Sequence, residues 1–224
     1  MNANRKIARI VGVLFITIMV AGLLSTVFSE PIHAPDYLIN VSVNGNQVIM
    51  GALFSLIMAV ALAGVAITVY PILKKHNEAL ALGYVGATII DGVLFIASIL
   101  ARLTLLTLSK EFVEAGAPHI SYFQTTGALL LAVHDWAYNV LWPITVGLGA
   151  LMFYYLLYQS KLIPRCLSVW GFIGAILFPA ASVSEFFILP LVVNECVLAV
   201  WLIVKGFKTS VNTSESARPF INKD

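Results

Sequence analysis

The chain has 224 residues, 60% of them hydrophobic and 11% charged, with a formal net charge of +2 at neutral pH. Soluble domains carry about 45–50% apolar and about 25% charged residues, so a water-soluble globule of this size lacks the interior to hide so much apolar surface, and a bilayer must cover it instead. A net charge this small gives no footing for nucleic acid.

Six stretches are long and apolar enough to span the roughly 30 Å of hydrocarbon that takes about 20 helical residues. They are predicted near residues 8–29, 47–72, 81–108, 135–158, 166–184 and 187–206. Arg5, Lys6 and Arg9 precede the first. Its apolar run, Ile10 to Phe28, exceeds the roughly 7–15 residues of a signal-peptide core, and Pro35 makes Ala34 a poor cleavage site, so the segment reads as a retained helix. Residues 30–46 hold Pro31, Pro35 and the turn pair Asn44-Gly45. Residues from His119 to His134 read as a further helix. Joined to the fourth span they would make a rod of roughly 58 Å, too long for the membrane alone. A break is therefore expected near Gly127 or His134, with the first part lying at the outer interface. Pro179 and Pro190 interrupt the last two spans, and Ser182 with Glu185 has the spacing of a capping box. The expected fold is all-α: a six-helix transmembrane domain over residues 1–208, with an extra outer interfacial helix before helix four. Residues 209–224 form a polar, disordered cytoplasmic tail.

Basic residues set the orientation. Arg5, Lys6, Arg9, Lys74, Lys75, Lys161, Arg165, Lys205 and Lys208 all fall on one side of a six-span bundle, while the opposite loops hold Lys110 with Glu30, Asp36, Glu111 and Glu114. This is the positive-inside pattern, and it places both termini in the cytoplasm of a bacterial cell, with the chain in the cytoplasmic membrane. Tyr154, Tyr155, Tyr158 and Trp170 read as an aromatic belt at the inner interface. Cys166 and Cys196 read as buried apolar thiols, roughly 15 Å apart in depth and beyond disulfide reach. Gly12, the Gly83–Gly86 pair and the Gly171–Gly174 pair recur where helices leave the basic side. Three parallel hairpins fit that recurrence, as does the close helix approach that glycine allows in any membrane bundle.

Tyr70-Pro71, Lys74-Lys75-His76-Asn77-Glu78 and Ala81-Leu82-Gly83-Tyr84 carry a resemblance, as do Ile163-Pro164-Arg165, Ser168-Val169-Trp170-Gly171, and the ending from Glu195 to Trp201-Leu202-Ile203-Val204-Lys205-Gly206-Phe207. With these motifs the chain resembles the domain-of-unknown-function 4386 family of bacterial multi-pass membrane proteins, over about residues 5–208. The resemblance implies the fold and the membrane location, and no activity. In the family pattern an arginine and a glutamate often stand where this chain has Thr88 and Asp91, and a glutamate often stands at Ser55. This chain keeps one acid and lacks the other two charges.

Ionisable side chains inside a bilayer cost about 2.5–3.5 kcal/mol each and mostly face the bundle interior. Asp91 and Glu195 each fall roughly 15 Å deep, near the midplane, with Asn194 beside Glu195. Two carboxyls at one dry level would not both ionise readily, which suits a proton-coupled carrier or an acid/base site; protonated carboxyls that only bond neighbouring helices have the same pattern. Arg102 follows Asp91 by eleven residues, three helical turns, and so shares its face. His134 and Asp135 open helix four at the level of Arg102, and Asp135, Asn139 and Trp142 form a stripe at i, i+4 and i+7. An Arg102–Asp135 ion pair is one reading of this group, and a polar vestibule is the other. His33, His119 and His134 share the outer side, but none has the helical ligand spacing of a zinc site, so no metal and no cofactor are expected.

These residues support a protein that lies in the lipid bilayer and binds or transports a small solute, a lipid or a proton within the bundle. Two alternatives differ in class. An intramembrane lipid-acting enzyme would use the outer His and Asp residues, and a non-catalytic accessory protein would use its polar residues only to hold helices together.

Overall fold

A computed structural model of the chain describes residues 3–117 and 122–208. The predicted tail over 209–224 and His119 lie outside the described residues. Among those residues the structure is helical and has six segments long and apolar enough to cross a membrane.

The first span is α1, Ala3–Phe28. A 3-10 turn, Glu30–Ile32, and a short helix, α2 (Tyr37–Val43), lead to α3, Gly45–Leu73. The third span, α4 (Glu78–Glu114), starts where the Asn77 side chain accepts a hydrogen bond from the Leu80 amide at 3.0 Å, one of the amides a helix start otherwise leaves unpaired. At 37 residues α4 is about 55 Å long and projects well beyond a hydrocarbon core. Helix α5 (Tyr122–Asp135) passes through a π-helical turn, Trp136–Leu141, into α6, Trp142–Ser160. The fifth span is α7 (Arg165–Leu177), extended by a 3-10 turn over Phe178–Ser182. The sixth is α8 (Leu189–Val204), preceded by the 3-10 turn Glu185–Ile188.

The stretch expected as a separate interfacial helix before the fourth span is α5, which packs against α4 and continues into that span. The predicted break near Gly127 or His134 does not occur: the winding changes after Asp135, but helical residues are continuous from Tyr122 to Ser160. Gly127 is a contact point: a Cβ there would meet the Tyr37 hydroxyl at 2.7 Å. The capping box is absent, since Ser182 donates instead to the Pro179 carbonyl at 3.0 Å; Pro179 lies in the 3-10 turn Phe178–Ser182 and Pro190 in the first turn of α8.

The six spans pack as a closed ring in chain order: α1 on α3, α3 on α4, α4 on α6, α6 on α7, α7 on α8 and α8 back on α1. Glycines set the closest approaches. A Cβ on Gly12 would meet the Ala199 carbonyl at 2.8 Å, and one on Gly174 would meet the Leu191 backbone at 2.9 Å. Nothing lies within 4 Å of a Cβ on Gly86, so the recurring glycines do not share one role. Phe15 and Phe153 meet across the ring at 6.2 Å, and Tyr84 stacks on Phe153 at 5.0 Å, so side chains fill its middle. Outside, Val13, Val60, Ile67, Ile89, Val93 and Val200 are all more than half exposed, an apolar surface suited to lipid. The thiols of Cys166 and Cys196 are exposed too, which overturns their expected burial; against lipid an apolar thiol loses nothing by facing outward. Tyr155, Tyr158 and Trp170 are exposed as a belt requires, but Tyr154 is fully buried and points into the bundle. The basic ends of the chain meet: Lys208 donates its amide to the Leu162 carbonyl at 2.8 Å, and Gly206 lies beside Arg5.

Two apolar clusters result. The larger fills the ring. The smaller joins Ile32, Leu38, Val41, Val48, Leu105, Leu106, Phe112 and Phe123 into a cap over the end opposite the basic loops.

A polar layer between the bundle and its cap

Buried polar residues interrupt the chain where it passes from one apolar cluster to the other. In α1, Ser25 follows Ala21 of the ring and precedes Ile32 of the cap; in α3, Ser55 lies between Val48 and Met58; in α4, Ser98 and Arg102 lie between Phe95 and Leu105. His134, also buried, occupies the same passage on the way from Phe123 to α6. These side chains form one layer. Arg102, only 2% exposed, donates from Nη1 to Ser29 Oγ and from Nη2 to Ser55 Oγ, both at 2.5 Å. Ser55 and Ser25 hydroxyls are 2.5 Å apart, and Ser29 donates to the Ser25 carbonyl at 2.6 Å. Gly51, one turn before Ser55, permits this approach, since a Cβ there would meet Ser29 Oγ at 3.1 Å and the Phe28 carbonyl at 3.2 Å.

Arg102 makes no ion pair among the described residues, and its Nε is buried without a partner. The Arg102–Asp135 pair read from the sequence does not form. Asp135 accepts instead from Asn139 Nδ2 at 3.2 Å, one turn along its own helix. The π-helical turn alters the expected register: Trp142 leaves the Asp135–Asn139 stripe and stacks on Tyr138 at 5.3 Å, and Tyr138 stacks on His134 at 5.7 Å. His134 Nδ1 lies 2.6 Å from Ser98 Oγ, and the His134 ring is 6.0 Å from exposed His33. His33, His134 and Asp135 each bring a ligand-type atom within 4.8 Å of the others.

The midplane residues form a second group. Asp91, 2% exposed, accepts a short hydrogen bond from the Thr145 hydroxyl of α6. Glu195 is half-buried on α8. No hydrogen bond joins the two carboxyls; Tyr84 lies within electrostatic range of both, and Tyr154 within range of Glu195 and Tyr84. Asn194 faces away, donating to the Leu167 carbonyl of α7 at 3.0 Å, with its Oδ1 buried and unpartnered. The Tyr154 hydroxyl is also buried without a partner. Its ring lies over Gly171, where a Cβ would come within 2.1–2.4 Å of ring carbons.

Residues 10–206 match the family described as Domain of unknown function (DUF4386). The chain belongs to this family. No curated protein and no solved structure matches it. Membership agrees with the resemblance read from the Tyr70-Pro71 and Trp170-Gly171 motifs, and it assigns no chemistry. The sequence reading singled out Asp91, Glu195, Arg102, His134, Asp135 and Asn139 but not the hydroxyls of Ser29, Ser98 and Thr145 that bond to Arg102, His134 and Asp91. A hydroxyl in an apolar helix is common and carries no sign of its partner. The available signal was the recurrence of a serine near the same depth in three helices.

Proposed function

We propose that this chain is a protein of the bacterial cytoplasmic membrane, its basic end in the cytoplasm, that binds an oxyanion in the polar layer at Arg102. The anion is a phosphate or carboxylate, carried by a lipid headgroup or by a small solute. The orientation rests on the positive-inside distribution of Lys and Arg. The observation that carries the binding reading is the guanidinium of Arg102, buried with neutral serine hydroxyls as its hydrogen-bond partners and with Nε unmatched. Burying a charge costs several kcal/mol unless an opposite charge offsets it, and a planar guanidinium fits phosphate or carboxylate in two-point fashion. The exposed His33 ring lies 6.0 Å from that of buried His134, and Arg102 is in electrostatic range of His134.

The test uses the purified protein in detergent. Its thermal stability is followed with inorganic phosphate, with short-chain phosphatidylglycerol and with short-chain phosphatidylcholine. Stabilisation by phosphatidylglycerol alone identifies a headgroup, and stabilisation by phosphate identifies a solute; Arg102→Gln should abolish either. An equal response in Arg102→Gln, or none in the wild type, overturns the reading.

A second reading is a proton path through the midplane, where the buried Asp91 carboxyl is held by the Thr145 hydroxyl and Tyr84 lies within electrostatic range of both Asp91 and Glu195.

A further inference from the structure

We propose that His33, His134 and Asp135 form a binding site for a divalent transition-metal ion at the capped end of the bundle. The site does not depend on an anion at Arg102. Its ligand atoms come from two distant stretches of chain, the loop after α1 and the junction of α5 with the π-helical turn, and all lie within 4.8 Å of one another. Zinc holds imidazole nitrogen and carboxylate oxygen at about 2.0–2.2 Å, so the three groups must draw together by about 1 Å. His33 is exposed on the surface loop, and His134 is buried and held by Ser98.

The surroundings are those of metal ligands. Imidazoles that bind metal through one nitrogen usually hand the other N–H to an oxygen, which fixes ring and tautomer. Ser98 Oγ stands 2.6 Å from His134 Nδ1, ready to accept that proton and leave Nε2 as a bare donor pair. Asn139 Nδ2 holds Asp135 Oδ1 at 3.2 Å and leaves the second carboxylate oxygen for the ion. Adjacent residues of a regular helix point about 100° apart and do not face each other. His134 and Asp135 nevertheless approach one point, where the winding changes at Trp136; π-helical turns often occur where side chains are re-aimed for function. Two imidazoles and one carboxylate suit zinc, cobalt or ferrous iron better than calcium or magnesium, which prefer oxygen. Three protein ligands leave a coordination position open to solvent or to an anion.

The experiment uses the full chain, purified in detergent without a histidine tag and stripped with a chelator. Zn2+ is titrated by calorimetry and Co2+ by its visible absorption, which reports coordination geometry. One ion per chain is expected. His33→Ala and Asp135→Asn, at exposed and half-buried positions, should weaken binding about 100-fold, and Ser98→Ala, acting through His134, about tenfold, within the 10–100-fold range of outer-shell partners. His119→Ala should leave the affinity unchanged. Absence of saturable binding, full affinity in both His33→Ala and Asp135→Asn, or a loss confined to His119→Ala overturns the site. An anion response at Arg102 without metal binding sinks this proposal alone.

Discussion

Arg102 Nη2 donates to Ser55 Oγ at 2.5 Å, from α4 across to α3, and that hydroxyl occupies the place where a carboxylate would neutralise the guanidinium. A neutral partner satisfies the hydrogen bond but not the charge. Supplying the charge from within is therefore an internal test of how the layer is balanced.

Ser55→Asp should raise thermal stability in detergent and remove the response to phosphate or phosphatidylglycerol, because the new carboxylate takes the anion's place. Adding Arg102→Met to Ser55→Asp should reverse the gain and fall below wild type, since an unpaired buried acid costs about 3–5 kcal/mol. Equal gains with and without Arg102 would show that the guanidinium is already neutralised.

Gly171→Ala tests the packing of Tyr154. The new Cβ would come within 2.1–2.4 Å of ring carbons of a side chain that is wholly buried. Overpacking of this kind costs about 1–3 kcal/mol. Trimming the ring with Tyr154→Leu in the same chain should recover part of the loss, as read by thermal unfolding. Purely additive losses would place the strain elsewhere.

The contrast between these sites explains what the sequence made legible. Spans of about 20 apolar residues and the positions of Asp91 and Arg102 are legible because the bilayer charges a high cost for any departure, so composition alone marks them. Arg102 and Asp91 share a face because eleven residues make three turns, and both are buried as that spacing requires. Partners are not legible in the same way. Arg102 bonds to Ser29, just after α1, and Ser55 of α3 rather than to Asp135, because α4 packs on α3 at this level and the winding change at Trp136 re-aims the start of the fourth span. Cys166 and Cys196 mislead for a related reason: in a bilayer the apolar side of a helix is its outside, so hydrophobicity no longer indicates burial.

Orientation can be checked directly. Reporter fusions at residue 77 and at the C-terminus should give cytoplasmic signals, and one at residue 116 an external signal, because Lys74, Lys75, Lys205 and Lys208 resist translocation. An external signal at residue 77 would invert the molecule and put the cap in the cytoplasm.

The midplane acids separate a proton path from helix glue. Asp91 accepts a hydrogen bond from the Thr145 hydroxyl, so Asp91→Asn keeps an acceptor there while losing the ability to release a proton. Thr145→Val removes the donor and leaves a buried acceptor unmatched, which costs about 1–3 kcal/mol. Both readings therefore expect Thr145→Val to destabilise and Asp91→Asn to fold. They part on transport. In vesicles reconstituted with the protein and loaded with a pH-sensitive dye, a proton path predicts uptake that disappears in Asp91→Asn and Glu195→Gln. It also predicts a fall in Tyr84→Phe, which removes only the hydroxyl within range of both acids. Uptake unchanged in all three, or absent from the wild type, would leave Asp91 and Glu195 as groups that hold α4 and α8 in the ring.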